Sequence, residues 1–159
     1  MKLTNHEEYG LRCLLRLAEQ GLGGNLTIPE LSRTEGISEA YAGKLLRILR
    51  RGGFVKAARG KIGGYALARP AADIVVGDVM EALGGPFFED GFCQTHTGQA
   101  STCVRSVDCS LRGLWRTVQA AVDGVLQKVT LERLLCDEPQ LVAGPPAGGG
   151  WSLTSSDRT

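Results

Sequence analysis

The sequence predicts a mainly α protein with a small β-wing: a winged helix-turn-helix domain followed by a long C-terminal dimerisation helix. Three observations predict it. Two stretches of helical period are separated only by Gly36-Ile37. Directly behind them, two short alternating segments flank a basic, glycine-rich tip. Further on, an apolar stripe runs for about five helical turns from Ser110.

The first helix is predicted from about Thr4 to Gln20, where Leu11, Leu14, Leu15 and Ala18 recur at helical spacing and Gly21 to Gly24 end the run. Thr27-Ile28-Pro29-Glu30 then has the form of a capping box, and Gly36 supplies the stop of a short second helix. Ser38 caps a third helix, with Glu39 favoured in its first turn by the helix dipole. This helix runs through Tyr41, Leu45, Leu46 and Leu49 to Gly52-Gly53. Lys44, Arg47 and Arg51, spaced by three and four, share a face away from the leucines. Taken alone, such a stripe reads first as a solvated helix face.

Phe54-Val55-Lys56-Ala57 and Tyr65-Ala66-Leu67-Ala68 alternate like two strands, with Arg59 and Lys61 flanking Gly60 at the tip between them. A helix-turn-helix followed directly by a basic hairpin is the winged-helix arrangement, in which the second helix enters the major groove and the wing reaches phosphates. Arg47, Arg50, Arg51 and Lys56 add attraction for phosphate that does not depend on sequence. Beyond this domain, 1–70, come a connecting helix from Ile74 to Leu83 within 71–85 and a cysteine-bearing loop over 86–109. A dimerisation helix and a short last helix fill 110–136, and the composition of 137–159 predicts a disordered tail in which Trp151 is unexplained. Along the long helix, Leu111, Leu114, Trp115, Val118, Val122, Val125 and Val129 form the stripe. It either packs on its own domain or meets a second copy; a self-complementary seam is favoured because it presents two recognition helices to a palindrome.

The 159 residues exclude a large multidomain enzyme, and 43% hydrophobic with 22% charged residues fit a packed core. The net charge of +1 hides a division: residues 1–70 hold twelve basic and six acidic side chains, and 71–159 hold six and eleven. The basic half is a candidate for nucleic-acid contact. No apolar run approaches the roughly 18 residues of a membrane span, and the N-terminus lacks a signal peptide's apolar segment, so a cytoplasmic location is expected. Of five cysteines, Cys93, Cys103 and Cys109 fall within one 17-residue stretch, which in a cytosolic protein points to metal or redox chemistry. Cys13 and Cys136 occupy apolar helix positions and are expected in the core. No Ser-His-Asp arrangement, phosphate-binding loop or fourth clustered cysteine points to an enzyme, and a small electron carrier would leave the wing and basic helix unexplained.

Met1-Lys2-Leu3-Thr4, Ile37-Ser38-Glu39-Ala40-Tyr41, Gly53-Phe54-Val55 and Arg59-Gly60-Lys61-Ile62-Gly63-Gly64-Tyr65-Ala66-Leu67-Ala68, in that order, resemble the family of winged-helix iron-sulfur repressors that includes IscR, NsrR and RirA. The likeness extends from Met1 to about Cys136. It implies a homodimer that binds promoter palindromes in double-stranded DNA, with Ser38, Tyr41, Lys44 and Arg59 at the DNA. Together with the residue reading, the DNA-contacting set is Ser38, Glu39, Tyr41, Lys44, Arg47, Arg51, Arg59 and Lys61. The resemblance also implies an iron-sulfur cluster, 4Fe-4S or 2Fe-2S, on Cys93, Cys103 and Cys109, answering to redox state, nitric oxide or iron supply. Soft anionic sulfur suits iron-sulfur chemistry.

The fourth ligand is open. Where some relatives have a histidine three residues after the third cysteine, this chain has Arg112, which cannot ligate. Other relatives use a carboxylate on the first helix, and Glu8 stands at the matching place; alternatively Glu8 is an exposed acid paired with Arg12 at i+4. His96 is the rival and Glu7 a third candidate. Alternatively, Cys93, His96, Cys103 and Cys109 offer one nitrogen and three sulfurs, an acceptable tetrahedral structural zinc site. Two departures mark this chain: nine residues separate Cys93 from Cys103, more than relatives commonly have, and position 43 is Gly where relatives can carry a base-reading side chain.

Overall fold

A computed structural model of the chain describes residues 3–21, 23–58, 63–88, 91–103, 105 and 109–136. Helix α1 spans Asn5–Glu19 and is capped by Thr4, whose Oγ1 accepts from the Glu7 amide while the Thr4 amide donates to Glu7 Oε2 at 2.6 Å. This reciprocal pair satisfies two donors that the first turn otherwise leaves open. The same device at Thr27 and Glu30 starts α2, Ile28–Glu35. Gly36 closes α2 at φ +66°, a left-handed conformation that glycine adopts without steric cost. Two residues later Ser38 caps α3, Glu39–Arg51, its Oγ accepting from the Tyr41 amide.

Burial divides each helix by period. Cys13, Leu14 and Leu17 of α1, Leu31 of α2 and Ala42, Leu45, Leu46 and Leu49 of α3 are wholly buried in one core, with Phe54 and Val55 beneath them. Strands β1, Val55–Ala57, and β2, Tyr65–Leu67, pair antiparallel in the register Val55↔Leu67, Lys56↔Ala66 and Ala57↔Tyr65. Leu26, just before α2, joins the far edge of the pair by two hydrogen bonds with Tyr65. The backbones run so close there that a Cβ on Gly64 would stand 2.8 Å from the Leu26 oxygen, at φ +119°. Only glycine fits this corner.

The connecting helix starts later than its periodicity predicts. A 3-10 turn, Ala71–Asp73, precedes buried Ile74, and α4 occupies Val76–Gly84. Val75 pairs with Thr130, so the chain returning from the long helix is stitched to the head of α4. Among its described residues, the loop of 86–109 contains one short helical turn, α5, Phe92–Thr95. Helix α6, Ser110–Leu126, has no buried residue in the single chain, and Leu111, Leu114, Trp115 and Val125 are exposed. Helix α7, Leu131–Leu134, then places Leu131 in the same core as α1. The segment 137–159, with its expected disordered tail, lies outside the described residues.

Candidate nucleic-acid interface and metal-ligand segment

The basic face of α3 follows from the burial of its opposite side. With Leu45, Leu46 and Leu49 inside, Lys44, Arg47, Arg50 and Arg51 are exposed, and Lys56 extends the set onto β1. Among the described residues none of these five cations forms an ion pair. Their charge therefore acts outward, as phosphate attraction requires. Ser38 and Glu39 are exposed at the start of the helix. Gly43 is half-buried, and a side chain there would meet Ile28 at ordinary contact distance. Arg59 and Lys61 lie outside the described residues.

Tyr41 differs from the others in the set. Its hydroxyl is buried with no hydrogen-bond partner among the described residues, and its ring meets those of His6 and Tyr9 edge-on, with centroids 5.4 and 6.2 Å away. Burial raises its pKa. In this conformation Tyr41 packs α3 against α1.

Glu35 ends α2 with its side chain only 2% exposed, accepting from Arg12 Nε and Arg16 Nε at 2.6 Å each. Burial alone would raise the pKa of this carboxyl, but the two guanidinium groups outweigh it and hold it below the usual carboxylate range. Arg12 also lies over the Tyr9 ring, 5.1 Å from its centroid. The sequence reading missed this clamp. A signal was present: an acid in the last turn opposes the helix dipole and needs local cations, and Arg12 and Arg16 share one face of the preceding helix.

The clamp also settles where Arg12 goes. The alternative Glu8–Arg12 pair does not form: Glu8 is exposed and has no ion pair among the described residues. Glu7 is buried and committed to capping Thr4. Cys93, Cys103 and Cys109 are half-buried free thiols, whereas Cys13 is fully buried, its thiol pushed up to about 12 by desolvation. Cys136, expected in the core, is instead exposed, following the last turn of α7. His96 stacks on Phe92 at 3.7 Å, and its Nδ1 lies 2.9 Å from the Phe92 carbonyl and from Thr95 Oγ1.

Three free thiols are donors of the type that an iron-sulfur centre uses. Among the described residues, however, no three His, Cys, Asp or Glu side chains stand together as a metal site. No helix among the described residues is long and apolar enough to cross a membrane.

A family model, Rrf2, described as an iron-dependent transcriptional regulator, matches residues 3–137. The protein rrf2 of Nitratidesulfovibrio vulgaris is 36% identical over 138 residues, covering 86% of this chain and 89% of its own length. Among solved structures, IscR of T. potens superposes with a TM-score of 0.68 at 28% identity, over 93% of this chain and 94% of that one. CymR (YrzC), the global cysteine regulator of B. subtilis, superposes with a TM-score of 0.67 at 30% identity, over 85% and 96%. The family match spans the capped helices, the two strands and the cysteine segment alike: the chain belongs to the Rrf2 family of winged-helix, DNA-binding transcriptional regulators and is not an enzyme.

Proposed function

We propose that this regulator is a cytoplasmic homodimeric repressor of promoter palindromes whose DNA affinity follows an iron-sulfur cluster, 4Fe-4S or 2Fe-2S, and so reports redox state, nitric oxide or iron supply. One observation carries the reading: the protein joins an exposed, unpaired basic helix face to a separate segment of three free, half-buried thiols. Ser38, Glu39, Lys44, Arg47 and Arg51 meet DNA from α3, with Arg59 and Lys61 from the wing. Cys93, Cys103 and Cys109 hold the cluster, and Glu8, exposed and unpaired, completes it. Soft thiolates secure the iron; an exchangeable carboxylate leaves one iron open to attack by an oxidant or nitric oxide.

The proposed link between sites is spatial. The thiol segment begins where the Phe88 amide donates to Gln119 Oε1 on α6, and it ends at Cys109, the cap of that helix. Rearrangement of the segment on loading therefore acts on α6, whose exposed stripe meets the second copy and sets the spacing of the two α3 helices. The test is anaerobic purification followed by binding to promoter DNA with and without the cluster. A brown protein with visible charge-transfer absorption, whose DNA affinity changes on bleaching, supports the reading; equal affinity before and after bleaching overturns the sensing claim.

A second reading, structural zinc on Cys93, His96, Cys103 and Cys109, has one observation in its favour. With Nδ1–H donated to the Phe92 carbonyl, His96 would present the Nε2 lone pair, as metal-binding histidines commonly do. A colourless protein with stoichiometric zinc would select it.

A further inference from the structure

Lys56 and Ala66 are cross-strand partners and therefore share one face of the β1–β2 pair. That face, the end of α1, the 3-10 turn Ala71–Asp73 and the end of α7 border a groove of about 460 Å³. Its floor is aliphatic: Ala18 and Ala66 are buried, and Leu67 and Ala71 are half-buried. Leu135 stands at its edge with 42% of its surface in solvent. Lys56 and Arg69 also line it, both exposed and neither in an ion pair among the described residues. Arg69 is held over the Phe54 ring, 5.2 Å from its centroid, and Glu132 is the one acid among the described lining residues.

We infer that this groove receives a segment of the same chain, residues 137–142, as an internal strap. The chain reaches the groove at Leu135, and Asp137 follows two residues later. Asp137-Glu138 brings two acids to a rim with two unpaired cations, and Leu141-Val142 brings two aliphatic side chains to an aliphatic floor. The spacing is suitable. Pro139 biases Glu138 towards extended backbone, and at roughly 3.3 Å per residue Leu141 lies up to about 20 Å along the chain from Leu135. Six residues cannot build a core of their own, so their apolar side chains need a surface already formed. Tethered at the rim, the segment meets the groove at an effective concentration on the order of millimolar, which a free ligand of the same chemistry would have to match in solution. The strap covers Leu135 and neutralises Lys56 and Arg69 in one contact.

Carbodiimide cross-linking of the full chain tests the inference. The reagent joins an amine to a carboxylate in direct contact, one water being lost and no spacer left behind. Peptide mass mapping should find Lys56 joined to Asp137 or Glu138 in a product of single-chain mass. Leu141→Ser with Val142→Ser keeps the lysine and both acids and introduces no charge. It should lower the yield at least about tenfold, the order expected when the burial of one leucine side chain is lost. Methyl NMR of the wild type should show Leu141 in contact with Ala66 or Ala71, and the double variant should lose the signature at both alanines.

A wild-type protein with no link from Lys56 overturns the inference. An undiminished yield in the double variant does so too, because the acids would then reach Lys56 without the groove. A link that joins two chains assigns the groove to the segment of a second copy, and an absence of contacts from Leu141 leaves the groove to another occupant; either result rejects the internal strap.

Discussion

The Leu131 amide donates to the Ile74 carbonyl at 2.8 Å, and both side chains are fully buried. With the Val76 amide bonded to the Val129 carbonyl, the chain leaving α6 is fixed to the head of α4, so the long helix leaves the core at a set angle. Leu131 is the apolar anchor of this joint. Leu131→Ala should destabilise the protein by about 3 kcal/mol, the usual cost of a leucine cavity, read as a lower urea midpoint at unchanged slope. A loss below about 1 kcal/mol would show that the joint contributes little to the common core.

The Glu35 clamp makes stability depend on acid. Its folded-state pKa lies below the ordinary value, so the unfolded chain takes up the proton first as pH falls. The contribution is fully present above the ordinary carboxylate range and is lost as pH falls through the lowered folded value. Glu35→Gln should therefore be less stable than the wild type at pH 7, with the gap narrowing below about pH 4.5. Denaturant titrations at several pH values check this, and a constant gap would contradict it.

What was legible in the sequence was local. Thr27, Gly36 and Ser38 announce their helix ends within four residues, and the leucine period of α3 dictates which face its arginines take. The pairings Leu26↔Tyr65 and Val75↔Thr130 join distant backbone positions and have no local signature, so the joint behind Leu131 could not be read. Cys136 was misassigned because apolar neighbours indicate burial only while the helix continues, and α7 stops at Leu134. The resemblance implies Tyr41 at the DNA, but residue type alone does not tell that in the free chain its ring packs against His6 and Tyr9.

That packing leads to a prediction for Tyr41. A buried hydroxyl without a partner carries an unrepaid desolvation cost, so Tyr41→Phe should raise stability by about 1 kcal/mol. DNA affinity should stay within about twofold, since less than 0.5 kcal/mol is at stake when no base contact is removed. A large loss of affinity with unchanged stability would show that the hydroxyl turns outward to meet DNA.

The cations of α3 should behave as phosphate contacts. Lys44→Ala and Arg47→Ala should each weaken binding across cognate and unrelated duplexes alike, and each should lower the slope of log affinity against log salt by about 1. Titrations of fluorescent DNA at several salt concentrations measure both. A variant that loses discrimination between duplexes while keeping the wild-type slope would instead mark that residue as a reader of bases.

The exposed stripe of α6 gives the last prediction. Leu111, Leu114 and Val125 each leave more than half of their surface in solvent, and Trp115 leaves 42%, while Val118 and Val122 between them are half-covered. Four large apolar side chains on one helix form the kind of patch that marks an interface. A second copy suits it because a two-fold axis pairs the stripe with itself. Sedimentation should find a particle of twice 16.9 kDa for the wild type. Leu114→Asp, which would bury an unpaired charge at the seam, should yield monomers and reduce palindrome binding at least tenfold, whereas the same change at exposed Glu132 or Lys128 should do neither. Because Leu114 contributes nothing to the buried core of one chain, thermal unfolding of the monomeric variant separates lost association from lost folding. A wild-type monomer at micromolar concentration would rule out the seam.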